Sequence, residues 1–230
     1  MSGYHVLNYG HLIGELVYRV TGPSLREFVH RHLAAPLGAD FQIGLRTSDH
    51  GRVADVITPT LDFDPSALDH DTVAYKTFTG PSFSADVADT PAWRAAELGA
   101  ANGHGNAQSV AEILSPIARA GAAAHGRLLK PGTIDLIFDE QSNGTDLVNG
   151  LHLRWGNGFA LPHPRTAAWI PEGRIAFWGG WGGSMAIMDL DRRVTISYVM
   201  NNMGADILGS PRAAAYLTAI YHALDGEKRA

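Results

Sequence analysis

The sequence of 230 residues contains no cysteine. This excludes disulfides, a thiolate nucleophile and cysteine-ligated zinc, while the redox compartment stays open. It also has no apolar run of the roughly 18 residues that a membrane-spanning helix needs. Its N-terminus, MSGYHVLNYGHL, has neither the basic nor the apolar part of a signal peptide. We therefore expect a soluble, unexported chain, located in the cytoplasm and without a membrane span.

Charged residues are few. They make up 18% of the chain with a net charge of -5, and hydrophobic residues make up 45%. No basic stripe is present that could neutralise phosphates, so we expect no nucleic-acid partner. The length fits one large domain or two small ones, and either could bury a sizeable core.

Several common catalytic signatures are absent as well. The sequence has no P-loop and no HExxH, and Ser184 lies in GGSMA, which lacks the last glycine of G-x-S-x-G. On a helix, His30 and His32 would point to different faces, so surface histidines are expected there rather than a metal site. Neither a metal nor an organic cofactor is implied.

The first 150 residues favour helices and loops. Apolar residues recur at helical spacing from Leu12 to Val20, and the second helix begins with the capping box of Ser24 and Glu27 and ends near Gly38. Residues 39–106 have weak periodicity and predict long loops with short elements. Further helices are predicted over 109–124 and 131–138, the latter with Pro131 in its first turn.

After residue 150 the period changes to two. This predicts strands over 151–161, 166–170, 174–178, 185–190 and 194–200. A last helix starts at Ser210 and Pro211, with Leu217 and Tyr221 facing inward. The predicted fold class is α+β, with a helical part, an antiparallel sheet and a terminal helix that covers the sheet.

Residues 174–190, RIAFWGGWGGSMAIMDL, place four glycines in a strand-like run. Glycine weakens a strand interior, so these positions need another reason. One is a bulge or a close backbone crossing beside core tryptophans. The other is a ligand that lies against the strand and uses its backbone N–H and C=O groups.

Motifs in a fixed order connect the chain to a known family. The stretch YHVLNYGHLIGELVYRVTGPSLREFVHRHLAAPLG, NGHG before the helix at Ser109, and WGNGF from Trp155 are followed by the terminal strands. Together they resemble the serine β-lactamase-like superfamily, in particular class C β-lactamases and family VIII carboxylesterases. The resemblance implies a β-lactamase/transpeptidase-like fold over residues 1–230, incomplete at its N-terminal side, with 1–150 mainly helix and loop and 151–230 as sheet and terminal helix.

The resemblance also implies roles for individual residues. Tyr4 would relay the proton of the nucleophilic serine, and the backbone N–H of Trp181 would be an oxyanion donor, worth roughly 3 kcal/mol in the transition state. The substrate-binding residues would be His5, Trp178, Gly179 and Gly180. Position 6 is valine where β-lactamases have the asparagine of Y-x-N, and this departure favours a small-molecule acyl ester over a lactam.

The nucleophile itself has no counterpart. Family chemistry needs S-x-x-K, but Lys76, Lys130 and Lys228 follow Val73, Arg127 and Asp225 at that spacing. We expect the C-terminal portion of a serine hydrolase, inactive as an isolated chain, that works with an N-terminal complementing segment. The alternatives are a non-catalytic ligand-binding module and a decayed fragment that self-associates through exposed core surface. A hydrolase that uses Ser184 is the most distant alternative, because no histidine is placed by sequence to act on it.

Overall fold

The structure is a computed structural model that describes residues 1–61, 63–80, 84–124 and 126–227. Lys228, tested above for S-x-x-K, lies outside these ranges. Across them, no helix combines the length and the apolar character that crossing a membrane requires.

Two helical segments begin the chain as predicted. Helix α1 (Asn8–Thr21) ends at Gly22, which has a positive φ of 89°. Helix α2 (Leu25–Val29) begins where the Ser24 side chain accepts the backbone N–H of Glu27 at 3.4 Å, so the Ser24 half of the predicted capping box is confirmed. The Glu27 carboxylate instead accepts a hydrogen bond from Arg31 at 3.2 Å. A π-helical turn (His30–Ala34) leads into α3 (Ala35–Leu37), and Gly38 ends it in the left-handed conformation.

The apolar residues of α1 lie largely in solvent. Leu12, Leu16 and Val20 are 64%, 56% and 75% exposed, whereas Gly10 is buried against the backbone of Gly99 and Ala100. The helix therefore packs through its small residues, and its large apolar side chains stay uncovered by the described part of the chain.

Short elements occupy residues 39–106, in agreement with the weak periodicity there. Strand β1 (Phe41–Ile43) pairs antiparallel with β2 (Gly103–Gly105). Between them lie 3-10 turns and two short helices, namely Thr47–Arg52, Pro65–Ala67, α4 (Val73–Phe78), Ala85–Asp89 and α5 (Pro91–Ala95).

Helix α6 (Ala107–Ala118) starts at an Asn106 cap and ends before the predicted Ala124. The longer prediction is wrong because Ala120 and Gly121 have positive φ values of 51° and 89°, which an α-helix does not tolerate. The chain then forms a small hairpin of β3 (Ala122–Ala123) and β4 (Gly126–Arg127). Helix α7 (Pro131–Ile137) follows with Pro131 at its start, as expected.

The main sheet is antiparallel and consists of five strands among the described residues. Its first two strands lie on either side of residue 150 in the sequence. Strand β5 (Ser142–Thr145), which the sequence patterns did not predict, pairs with β6 (His152–Trp155). Strand β7 (Ile175–Gly179) pairs with β8 (Met185–Asp189), and β8 pairs with β9 (Val194–Tyr198). Single bridges from Ala160 to Trp155 and to Phe177 join the two groups.

Two strand predictions need correction. The run 151–161 is not one strand, because Gly156 and Gly158 interrupt it and only Ala160 returns to the sheet. The run 166–170 forms turns, in which the N–H groups of Thr166 and Ala167 donate to the carbonyl of His163. Pro164 precedes this run and Pro171 follows it, and both favour turns over a strand.

The sheet is packed on both faces. Helix α8 (Pro211–Glu227) places Ala213, Leu217 and Tyr221 against one face of the sheet, so the predicted terminal cover is confirmed. On the other face, α6 and α7 pack against Ala176 and Met188. Successive strand residues point to opposite faces, which is why both helical layers find apolar partners.

Candidate active site

Tyr4 lies in the extended segment that precedes α1. Its backbone N–H donates to Asp146 Oδ1 at 3.2 Å, and the carbonyl of Ser2 accepts the N–H of Leu147 at 2.9 Å. The turn between β5 and β6 therefore holds the N-terminal segment beside the sheet, although the two are far apart in sequence.

Three aromatic rings meet at the phenol of Tyr4. The Tyr4 ring is parallel to that of Trp155, with centroids 6.4 Å apart, and lies 5.3 Å from that of Trp178. The indole Nε1–H of Trp178 donates to Tyr4 Oη at 3.2 Å. The fold thus joins two residues that the sequence singled out separately, and it adds Trp155, whose WGNGF motif was noticed but whose place at the site was not predicted.

The four glycines after Trp178 occupy different local environments, which explain in different ways why glycine is present. Gly182 and Gly183 adopt positive φ values of 101° and 113° in the turn from β7 to β8, a region that favours glycine. At Gly179, an added Cβ would stand 2.8 Å from the carbonyl oxygen of Ser184 and still closer to Met185 Sδ, whereas at Gly180 it would meet nothing within 4 Å. Backbone conformation thus explains Gly182 and Gly183, a close approach explains Gly179, and of these four glycines only Gly180 faces open space.

Trp181 follows directly in that turn and is half-buried. The N–H groups of its neighbours are occupied: Gly180 donates to the Ser184 carbonyl at 3.0 Å and Gly182 to that of Asp206 at 3.1 Å. In the described residues, the N–H of Trp181 donates to no acceptor. This N–H thus differs from both of its neighbours in having no partner among the described residues.

Two other candidates lack such an arrangement. His5 is exposed and makes no hydrogen bond to any described residue. Ser184 Oγ accepts the backbone N–H of Met200 at 3.4 Å, and none of the described histidines bonds to it. The described ranges also contain no cluster of three or more His, Asp or Glu side chains that could hold a metal ion.

Two cavities lie away from Tyr4. One of ≈500 Å³ is polar, and the Arg154–Glu140 ion pair (2.6 Å) and His163 lie in its wall. His152 stacks on His163, and its pKa is lowered by desolvation and by the neighbouring His163 and Arg165. The other cavity, of ≈530 Å³, runs beside α1 and is lined in part by Leu12, Tyr18 and Leu25.

Comparison with known proteins gives a consistent picture. Residues 1–219 match the sequence family described as Beta-lactamase. A family VIII carboxylesterase structure is 33% identical with a TM-score of 0.82, and the match covers 96% of this chain and 58% of that one. A penicillin-binding protein homologue from Caulobacter crescentus gives the same four values. No significantly similar sequence was found in a comparison with curated proteins.

A more distant structure extends the likeness in fold. EstA from Arthrobacter nitroguajacolicus Rue61a is 24% identical with a TM-score of 0.81, over 99% of this chain and 61% of EstA. The chain thus spans less than two thirds of the length of these solved structures. Its helices, sheet and terminal helix form a β-lactamase/transpeptidase-like fold, as the sequence motifs indicated.

Proposed function

Because the chain belongs to the Beta-lactamase family, we propose that it supplies the tyrosine and the substrate-facing strand of a serine hydrolase active on an acyl ester. The nucleophile would come from a second segment that carries S-x-x-K, since no lysine of this sequence has a serine three residues before it. By itself, the 230-residue chain would hydrolyse no ester.

One observation carries the proposal. The hydrogen bond from Trp178 Nε1 to Tyr4 Oη spans 174 residues and brings the phenol to the end of β7. The same end of the strand presents open space at Gly180 and an unused N–H at Trp181. The proposed proton-relay group, the proposed oxyanion donor and the open space at Gly180 thus belong to one short stretch at the end of β7, and this supports the proposal.

The reaction would proceed in two balanced steps. The serine Oγ of the second segment attacks the ester carbonyl, and its proton passes through Tyr4 Oη to the departing alkoxide, so that an alcohol leaves and an acyl-enzyme remains. Water then attacks the carbonyl of the acyl-enzyme, and its proton passes through Tyr4 Oη to the serine Oγ. The carboxylic acid leaves and the serine is regenerated. In both steps the N–H of Trp181 would stabilise the oxyanion, an effect of about 3 kcal/mol per donor.

The exposed face of α1 is the surface that we assign to the second segment. It begins four residues after Tyr4 and continues into the ≈530 Å³ cavity beside Leu12 and Leu25. An uncovered apolar stripe of this kind is typical of a protein interface. A helix with an apolar face would cover it.

The decisive experiment is complementation. The purified chain is mixed with, or fused to, the N-terminal segment of a family VIII carboxylesterase chosen to contain S-x-x-K, and hydrolysis of a short-chain chromogenic ester is followed. We expect no turnover from either piece alone and turnover from the combination. Turnover by the chain alone that depends on Tyr4 would refute the need for a second segment and would direct attention to Ser184.

Three variants sharpen the test. Tyr4→Phe removes the relay oxygen and should abolish turnover of the combination without weakening association. Leu16→Glu on α1 should weaken association, whereas Tyr216→Glu should not, because Tyr216 is a comparably exposed apolar residue on α8. Equal loss with both glutamate variants would contradict the assignment of the α1 face.

The absence of S-x-x-K also favours a second function for the chain alone, which is ligand binding without turnover. Equilibrium dialysis with a non-hydrolysable ester analogue tests it. Binding that is weakened by Gly180→Ala, together with no hydrolysis in any combination, would support the binding module over the hydrolase.

A further inference from the structure

Asp146 is a buried carboxylate with an unusual set of partners. It is 1% exposed, and its Oδ1 accepts three backbone N–H groups, from Val148 at 3.0 Å, Asn149 at 3.1 Å and Tyr4 at 3.2 Å. No lysine, arginine or histidine of the described residues pairs with it. Oriented N–H dipoles therefore solvate this carboxylate in place of a cation.

Two of the three bonds are local. Those from Val148 and Asn149 close a turn between β5 and β6, in which the N–H of Asp146 also donates to the Leu151 carbonyl at 2.8 Å. The turn would be complete with these bonds alone. The bond from Tyr4 is additional, and it joins residues 142 positions apart.

This third bond acts on the backbone of Tyr4. Tyr4 precedes the first turn of α1, so no helical hydrogen bond fixes its position. Trp155 and Trp178 contact its ring and hydroxyl, but a ring can keep such contacts while its backbone shifts. The bond to Asp146, supported by the one from Leu147 to Ser2, is what fixes the backbone.

We infer that Asp146 is a positioning residue, which holds Tyr4 where its hydroxyl meets the end of β7. The role in catalysis rests on the proposed function, whereas the hold on Tyr4 does not. Its Oδ2 has no hydrogen-bond partner in the described residues, so only Oδ1 is needed for the hold. Asparagine should therefore preserve it, whereas serine can close the local turn but is too short to reach Tyr4.

The test uses the 15N-labelled 230-residue chain and its Asp146→Ser and Asp146→Asn variants. Asp189→Ser is the control for loss of a buried carboxyl group away from Tyr4, because Asp189 is also fully buried and accepts the backbone N–H of the residue three positions later. Asp189 also forms an ion pair with Arg192 at 3.1 Å, so this control should perturb the fold at least as much as Asp146→Ser. Amide exchange of Tyr4 and the indole N–H resonance of Trp178 are measured by NMR. Loss of one hydrogen bond to a charged acceptor should lower the Tyr4 protection factor at least about tenfold.

The expected result is selective. Relative to core amides such as Ile187, Tyr4 should lose protection in Asp146→Ser alone, and the Trp178 indole resonance should shift in that variant and not in Asp189→Ser. Full protection of Tyr4 in Asp146→Ser would overturn the inference, as would an unprotected Tyr4 in the wild type. If Asp146→Ser does not fold, the comparison rests on the other two proteins. Protection of the Tyr4 amide in both the wild type and Asp146→Asn supports the inference, and an unprotected Tyr4 amide in either one overturns it.

Activity gives the second readout. In the complemented enzyme, Asp146→Ser should lower kcat about tenfold or more with little change in KM. Asp146→Asn should keep kcat close to the wild-type value. A rise in KM alone would contradict a positioning role. Inactivity of every combination would refute the proposed function, and the NMR measurements would still decide whether Asp146 holds Tyr4.

Discussion

Alanine at Gly179 should lower stability, whereas alanine at Gly180 should lower turnover and leave stability unchanged, although the two positions are adjacent. At Gly179 the added Cβ would crowd Met185 Sδ and stand 2.8 Å from the Ser184 carbonyl oxygen. That oxygen cannot retreat freely, because it accepts the N–H of Gly180 at 3.0 Å. At Gly180 the added Cβ would meet no atom within 4 Å, and the backbone there has no positive φ.

The magnitude follows from overpacking. Extra methyl groups in a well-packed site cost about 1–3 kcal/mol, and in a chain of this size each kcal/mol lowers Tm by about 2–4 °C. We therefore expect Gly179→Ala to lower Tm by roughly 2–12 °C. Gly180→Ala should leave Tm within about 2 °C, because surface substitutions usually change stability by less than 0.5 kcal/mol.

Thermal unfolding followed by circular dichroism measures the change in Tm. Ester turnover by the complemented enzyme measures the effect on substrate binding and catalysis. If a substrate lies against the strand, Gly180→Ala should lower kcat/KM despite its normal Tm. A Gly179→Ala chain as stable as the wild type would refute the packing argument. Unchanged turnover in Gly180→Ala would refute the placing of substrate at that position.

Three more predictions follow from single side chains. Phe177→Ala should cost about 3–5 kcal/mol in denaturant unfolding, because Phe177 is fully buried between the sheet and α8; a loss under 1 kcal/mol would contradict that packing. Trp178→Phe keeps a ring but loses the N–H donor to Tyr4, and should lower kcat of the complemented enzyme about tenfold with KM little changed. Burial lowers the pKa of His104 below its ordinary value of 6.5, so stability present above pH 6.5 should be lost as pH falls through the lowered pKa. Unfolding measured from pH 7.5 to 5 should show a weaker acid dependence in His104→Gln, and an equal dependence would contradict this.

Local chemistry was sufficient to predict many elements from the sequence. The cap at Ser24, the start of α7 at Pro131 and the strands of the β7–β8–β9 meander depend on residues close in the chain, and all occur near the predicted places. The predictions failed where the backbone conformation of single residues or a partner distant in the sequence determines the element. The end of α6 depends on positive φ values at Ala120 and Gly121, and β5 exists because β6 pairs with it.

The candidate site divides in the same way. Motif order along the chain indicated the family and drew attention to Tyr4 and to the Trp178–Gly180 stretch, because those signals are local runs of residues. The reason for each glycine, the place of Trp155 beside Tyr4 and the bond from Tyr4 to Asp146 came only from the tertiary structure. The bond from Tyr4 to Asp146 joins residues 142 positions apart, and no local pattern encodes such a distance. The sequence by itself thus determined the family, most of the element types and the lack of an S-x-x-K motif, because these depend on residues close in the chain. The packing of the sheet decided which side chains meet.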